Sequence, residues 1–120
     1  LRYQTDYVLR LIEELGRVIR SALEKLGLKD AEHPVELAGQ AIGLVLDMDP
    51  DLASQLSPRS LTSLLELGSP DDRVIELLAQ AIELEAEALE ASDTIIAASF
   101  RHEQAAAVRS LLGPKTRTTT

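Results

Sequence analysis

The residues of this 120-residue chain that could do chemistry are few: two histidines, no cysteine, and a surplus of carboxylates. His102-Glu103-Gln104-Ala105-Ala106 begins like the paired-histidine zinc helix H-E-x-x-H, but alanine stands at 106, where the second histidine would be needed. His33 falls at an expected turn and offers His102 no helical i,i+4 partner. A lone imidazole is ordinarily a surface or cap residue, so no metal and no cofactor are expected. Without cysteine there is no disulfide, thiolate site or thiol nucleophile. Ser57, Ser60 and Ser63 lack a G-x-S-x-G elbow, and the glycines occur singly, so neither a nucleophilic serine nor a phosphate loop is indicated.

Glu76, Glu83, Glu87 and Glu90 share one face of an expected helix, where clustered carboxylates could bind a hard cation or act as acid and base. A ferritin-like di-iron centre would need Glu-x-x-His pairs on two helices, and none occurs, so a solvated acidic face is the plainer reading. Tyr7, Arg10, Glu14 and Arg17 recur at helical spacing near the N-terminus, flanked by Tyr3. Tyr and Arg are enriched at interface hot spots. The plainer reading is a solvent-facing row with salt-bridge partners; the other is a docking surface for a second subunit or protein. This row is the candidate interaction surface, and no catalytic residue is assigned.

The elements that must position these residues are helices. Leu and Ala supply 37 residues and aromatics only three, Tyr3, Tyr7 and Phe100, a composition suited to helices rather than sheets. Hydrophobic residues make up 45% and charged residues 27%, which is globular and neither disordered nor membrane-spanning. The longest apolar runs are far short of the roughly 20 residues that cross a bilayer, and the N-terminus has no apolar signal core, so a cytoplasmic location is expected and no membrane partner. The net charge of −8 is unevenly placed: residues 1–29 carry +2, residues 30–100 carry −13 and residues 101–120 carry +3. An acidic middle without base-stacking aromatics argues against nucleic acid as a partner.

Val8, Leu11, Ile12, Leu15, Val18, Ile19, Ala22, Leu23 and Leu26 form an unbroken amphipathic stripe. Thr5 or Asp6 is the expected N-cap and Gly27 the expected stop. About 22 helical residues span roughly 33 Å, the diameter of a domain this size, so this helix crosses the whole domain. The i,i+4 pairs Arg10–Glu14, Glu13–Arg17 and Arg20–Glu24 are expected on its outer face. A second helix is expected from near Pro34, burying Leu37, Ala38, Ala41, Ile42, Val45 and Leu46, with Gly39 and Gly43 permitting close approach of another helix. A short helix should run from Pro50 to Leu56. Ser57-Pro58 opens a helix to Leu67 that stops at Gly68, and Ser69-Pro70 repeats that start signal. The next helix runs to about Ala91, with Val74, Ile75, Leu78, Ala81, Ile82 and Leu89 inward. After a break at Ser92-Asp93, the last helix takes in Ile95, Ile96, Phe100, Ala105, Val108, Leu111 and Leu112. The expectation is a single all-α domain of five to six helices over residues 1–113, with a polar flexible tail at 114–120.

Asp6-Tyr7-Val8-Leu9-Arg10-Leu11-Ile12-Glu13-Glu14 resembles the start of a bacterial family of short uncharacterised all-helical proteins, and Ser57-Pro58-Arg59-Ser60-Leu61 resembles that family's Ser-Pro-x-x-Leu segment. The resemblance implies a tetratricopeptide-like helical hairpin near the C-terminus, over residues 71–112, but no activity. Where the family's hairpin turns tightly, this chain has Thr94-Ile95-Ile96-Ala97-Ala98-Ser99-Phe100, which reads as an extension and leaves the position of the last turn open. The function expected is a non-enzymatic protein-interaction or self-assembly module, with a protein partner or a homo-oligomer. The alternatives are a small-molecule-binding helical bundle and an enzyme with an unrecognised acidic site.

Overall fold

A computed structural model describes residues 2–28 and 36–112, with side chains at 6–25 and 36–112. Among them are six helices and no strand: α1 (Arg2–Leu28), α2 (Ala38–Leu46), α3 (Pro50–Ser54), α4 (Pro58–Gly68), α5 (Asp72–Ala91) and α6 (Ile95–Ser110). The all-α bundle read from the sequence is the fold. His33, Pro34 and the tail at 114–120 lie outside the described residues.

The hydrophobic stripes close on one core, whose fully buried side chains include Leu15, Leu37, Ile42, Leu61, Leu65, Leu78, Ile82 and Val108. At roughly 1.5 Å per residue, the 27 residues of α1 extend about 40 Å, comparable with the 44 Å long axis of the molecule. The helix packs chiefly against α5 and α2, while α6 packs against α5 and α4, so α1 flanks the bundle rather than threading it. Leu23, expected in the buried stripe, is half exposed, and Leu26 lies outside the described side chains.

Several helix ends differ from the sequence expectation, each for a local reason. Helix α1 begins upstream of Thr5 and Asp6, so neither caps it; interior Thr and Asp cost only tenths of a kcal/mol each relative to Ala, about 0.7 at most. It also runs through Gly27 to Leu28. Helix α2 starts at Ala38, not near Pro34, with Leu37 as its N-cap residue and the Leu37 and Ala38 amides bound by a side chain of α5. Helix α4 includes Gly68, and the left-handed residue that ends it is Ser69, with φ 46°. Ser69 is therefore spent on closing α4, and Asp71 caps α5 by accepting from the Arg73 N–H at 2.8 Å. The Ser57 cap forms as expected, its hydroxyl accepting from Ser60 N–H at 3.1 Å. Asp93, with φ 67°, ends α5, and Thr94 N–H reaches back to the Leu89 carbonyl, the Schellman geometry. Helix α6 then starts at Ile95, which places the last turn at Ser92–Thr94. Ile95 and Ile96, which the sequence places in this helix, are exposed on its first turn. Leu111 and Leu112 follow the helix in tighter i→i−3 turns.

The glycines of α2 do what their spacing suggested. A Cβ at Gly39 would lie 2.6 Å from the Pro50 carbonyl oxygen, and one at Gly43 would lie 2.8 Å from that of Met48. The short α3 thus lies directly on the α2 backbone. Asp47, in the left-handed region at φ 56°, makes the reversal between them. Gly68 has open space around the corresponding position. Gly39→Ala should destabilise the fold by about 1–2 kcal/mol, overpacking of roughly 1–3 kcal/mol outweighing a helix-propensity gain of roughly 0.5–1 kcal/mol. Gly68→Ala should instead be neutral or stabilise by up to about 1 kcal/mol. Urea melts of the two variants check both signs.

Candidate interaction surface and the polar clusters

The α1 row stands where the helix is uncovered. Tyr7 is 55% exposed, Arg10 and Arg17 are exposed, and Glu14 is half-buried. Tyr7, Arg10 and Glu14 line an open groove of about 550 Å³ between α1 and the α2–α3 reversal, with Leu11, Val18, Gln40, Gly43, Leu44, Asp47, Met48 and Pro50 completing its walls. On its other side Tyr7 borders a second groove of about 480 Å³, walled by Val8, Val45, Leu46, Leu64, Leu65, Pro70 and Val74. Tyr7 is the ridge between two apolar depressions. Arg17 lines neither. The expected pairs Arg10–Glu14, Glu13–Arg17 and Arg20–Glu24 do not form; among the described residues, ion pairs occur at Arg73, Arg101, His102 and Arg109. Exposed side chains on one helix gain too little from such contacts to offset the loss of rotamer freedom.

Sequence reasoning missed Glu85, which is 6% exposed. One of its oxygens, Oε1, accepts from the backbone N–H groups of Leu37 at 2.7 Å and Ala38 at 2.8 Å. Helix α2 has no capping side chain of its own, so a carboxylate from α5 takes that role and meets the positive end of the helix dipole. The other oxygen, Oε2, accepts from Arg101 Nε at 2.6 Å. Arg101 also donates to the Ser54 carbonyl at 2.7 Å and to Gln104 Oε1 at 2.8 Å. Gln104, fully buried, donates to the Leu56 carbonyl at 2.8 Å. The carbonyls at the end of α3 are satisfied from α6, as the amides at the start of α2 are from α5. The signal was present in the sequence: Glu85 stands three residues after Ile82 and seven after Leu78, on the buried stripe rather than the acidic face.

The four carboxylates of that acidic face do not act as a group. Glu76 and Glu87 are exposed. Glu83 and Glu90 grip His102 from either side, at 2.9 Å from Nδ1 and 3.3 Å from Nε2, and Arg109 approaches Glu83 at 3.6 Å. With a carboxylate at each nitrogen, only the imidazolium donates both bonds. Desolvation is the largest single influence on His102 and lowers its pKa, but the hydrogen bonds and charges of Glu90 and Glu83 together outweigh it and raise the pKa above 6.5. Among the described residues no group of three or more His, Asp or Glu side chains is placed to hold a metal ion, and no helix is long and apolar enough to cross a membrane.

Comparison with protein families, curated proteins and solved structures finds no match to this chain.

Glu85→Ala strands the Arg101 charge and two helix-end amides, so denaturant melts should show a loss of about 3–5 kcal/mol; Arg101→Met added to it should cost less than the sum of the single changes. For His102, a folded pKa above the unfolded value means stabilisation that is complete below pH 6.5 and lost as pH rises through the raised value. The stability advantage of wild type over His102→Gln should therefore be larger at pH 5.5 than at pH 8.5, as thermal melts at the two values would show.

Proposed function

We propose that this chain is a non-enzymatic helical interaction module that works by self-association through the face made by α1, α2 and α4. The observation that carries this reading is the pair of apolar grooves on either side of the exposed Tyr7. A large aromatic between two apolar depressions is the type of anchor around which interfaces concentrate their energy. Leu64, at the edge of the second groove, is partly exposed, and Leu67 one turn further along α4 is 84% exposed, so the apolar surface continues past the groove. Among the described residues the charges of the α1 row form no ion pair, which leaves them for a partner. The resemblance of residues 6–14 and 57–61 to short helical bacterial proteins agrees with a helical module and adds no activity.

Binding of a small molecule is the second reading, favoured by the volume of the groove between α1 and α2–α3, which lies within the roughly 300–1,000 Å³ of ligand sites. Its length along α1 and its open side suit a helix better than an enclosed ligand. An enzyme built on the acidic face has less support, because His102 already engages Glu83 and Glu90.

Sedimentation velocity at tens of micromolar should give a mass about twice the 13.1 kDa of the chain. Tyr7→Ser, which removes an exposed ring and leaves the core intact, should weaken association about tenfold or more. A strict monomer for wild type at that concentration would sink self-association.

A further inference from the structure

We infer that the partner is a second copy of this chain, docked through an antiparallel, two-fold pairing of α1 with α1; this deepens the self-association reading and rests on it. The inference comes from the order of residues in the exposed row. Tyr7, Arg10, Glu14 and Arg17 are separated by steps of three, four and three residues, the spacing that keeps side chains on one seam between two helices. That spacing reads the same in both directions. In a two-fold pairing each contact occurs twice, residue i meeting j of the partner and j meeting i. With the axis midway along the row, Arg10 meets Glu14 of the partner subunit and Glu14 meets the partner's Arg10. Tyr7 meets Arg17 of the partner subunit, a guanidinium over an aromatic ring. Each charge meets its opposite or an aromatic face, and no like charges on the row are opposed.

Three structural observations support that arrangement. The row is accessible, with Tyr7, Arg10 and Arg17 exposed. Among the described residues Arg10, Glu14 and Arg17 form no ion pair, whereas the basic side chains of α6, Arg101, His102 and Arg109, all do. The groove beside the row offers half-buried Val18, Leu44 and Met48, apolar area that a second helix laid along α1 would cover. Exposed ion pairs alone contribute little affinity, so the burial supplies the driving force and the charges set direction and register. A parallel pairing in register would instead bring Arg10 onto Arg10, Glu14 onto Glu14 and Arg17 onto Arg17, which disfavours it.

Charge reversal tests the register. Arg10→Glu and Glu14→Arg each replace two attractive contacts by two repulsive ones, and each should weaken dimerisation about a hundredfold or more. Mixed in equal amounts, the two single variants should form a heterodimer, since every contact across it is again between opposite charges. The Arg10→Glu/Glu14→Arg double variant should dimerise as wild type does. Neither residue belongs to the core, and unchanged circular dichroism melts of the monomeric variants would confirm their folding. The measurement is sedimentation velocity of wild type, the three variants and the mixture. A wild-type dimer indifferent to the single reversals would overturn this pairing and leave self-association standing. A dimer broken by the single changes and restored in neither the mixture nor the double variant would overturn it as well. A wild-type monomer would remove both.

Discussion

The Glu85 carboxylate is the point on which the arrangement of helices depends. It stands on the buried stripe of α5, where a charge is costly unless it is paired and hydrogen-bonded. It meets that demand by accepting from the first amides of α2 with one oxygen and from Arg101 of α6 with the other. Arg101 and Gln104 carry the network on to the carbonyls at the end of α3. Four helices are thus tied by groups that lose hydrogen bonds if any one of them moves. Among the described residues no buried side-chain polar atom lacks a partner.

Hydrophobic burial favours collapse but leaves helices free to slide; directional bonds do not. The two short elements gain most from this constraint. Helix α2 has nine residues and α3 five, both too short to persist alone. Their unsatisfied ends are completed by side chains of the long α5 and α6, and Gly39 and Gly43 let them lie backbone against backbone. Once α2–α3 is fixed on one side and α1 on the other, the groove beside Tyr7 has a defined width. The polar core and the proposed interaction surface are connected through the position of this small helical pair.

Helix α1 is held differently. Its contacts are mainly apolar, through Leu11, Leu15 and Ala22 against α5 and α2, and none of the described interior hydrogen bonds reaches it. Packing accounts for that stripe and leaves the exposed flank beside it unconstrained by the fold. Tyr7, Arg10 and Arg17 are the residues there whose types call for an explanation outside the chain.

Much of the fold was legible in the sequence. The stripe on α1, the Ser57-Pro58 start of α4, the close approach at Gly39 and Gly43, and the break at Ser92-Asp93 each follow from a local rule: helical periodicity, capping chemistry, the missing Cβ, or turn propensity. The candidate surface could be located the same way, because helical spacing alone puts Tyr7, Arg10, Glu14 and Arg17 on one face. What local rules could not supply was the partner of each polar group. Helix α2 starts where it does because a carboxylate 47 residues distant caps Ala38, and nothing near Pro34 encodes that. Ser69 ends one helix and so cannot cap the next; Glu83 and Glu90 turn toward a histidine on a neighbouring helix, and on the first turn of α6 Ala98 is buried while Ile95 and Ile96 stay exposed. Periodicity is a property of the chain, so the sequence determined which residues lie on which face. Hydrogen-bond partners and the grooves between helices depend on distances between segments remote in sequence, and only the tertiary structure decided those.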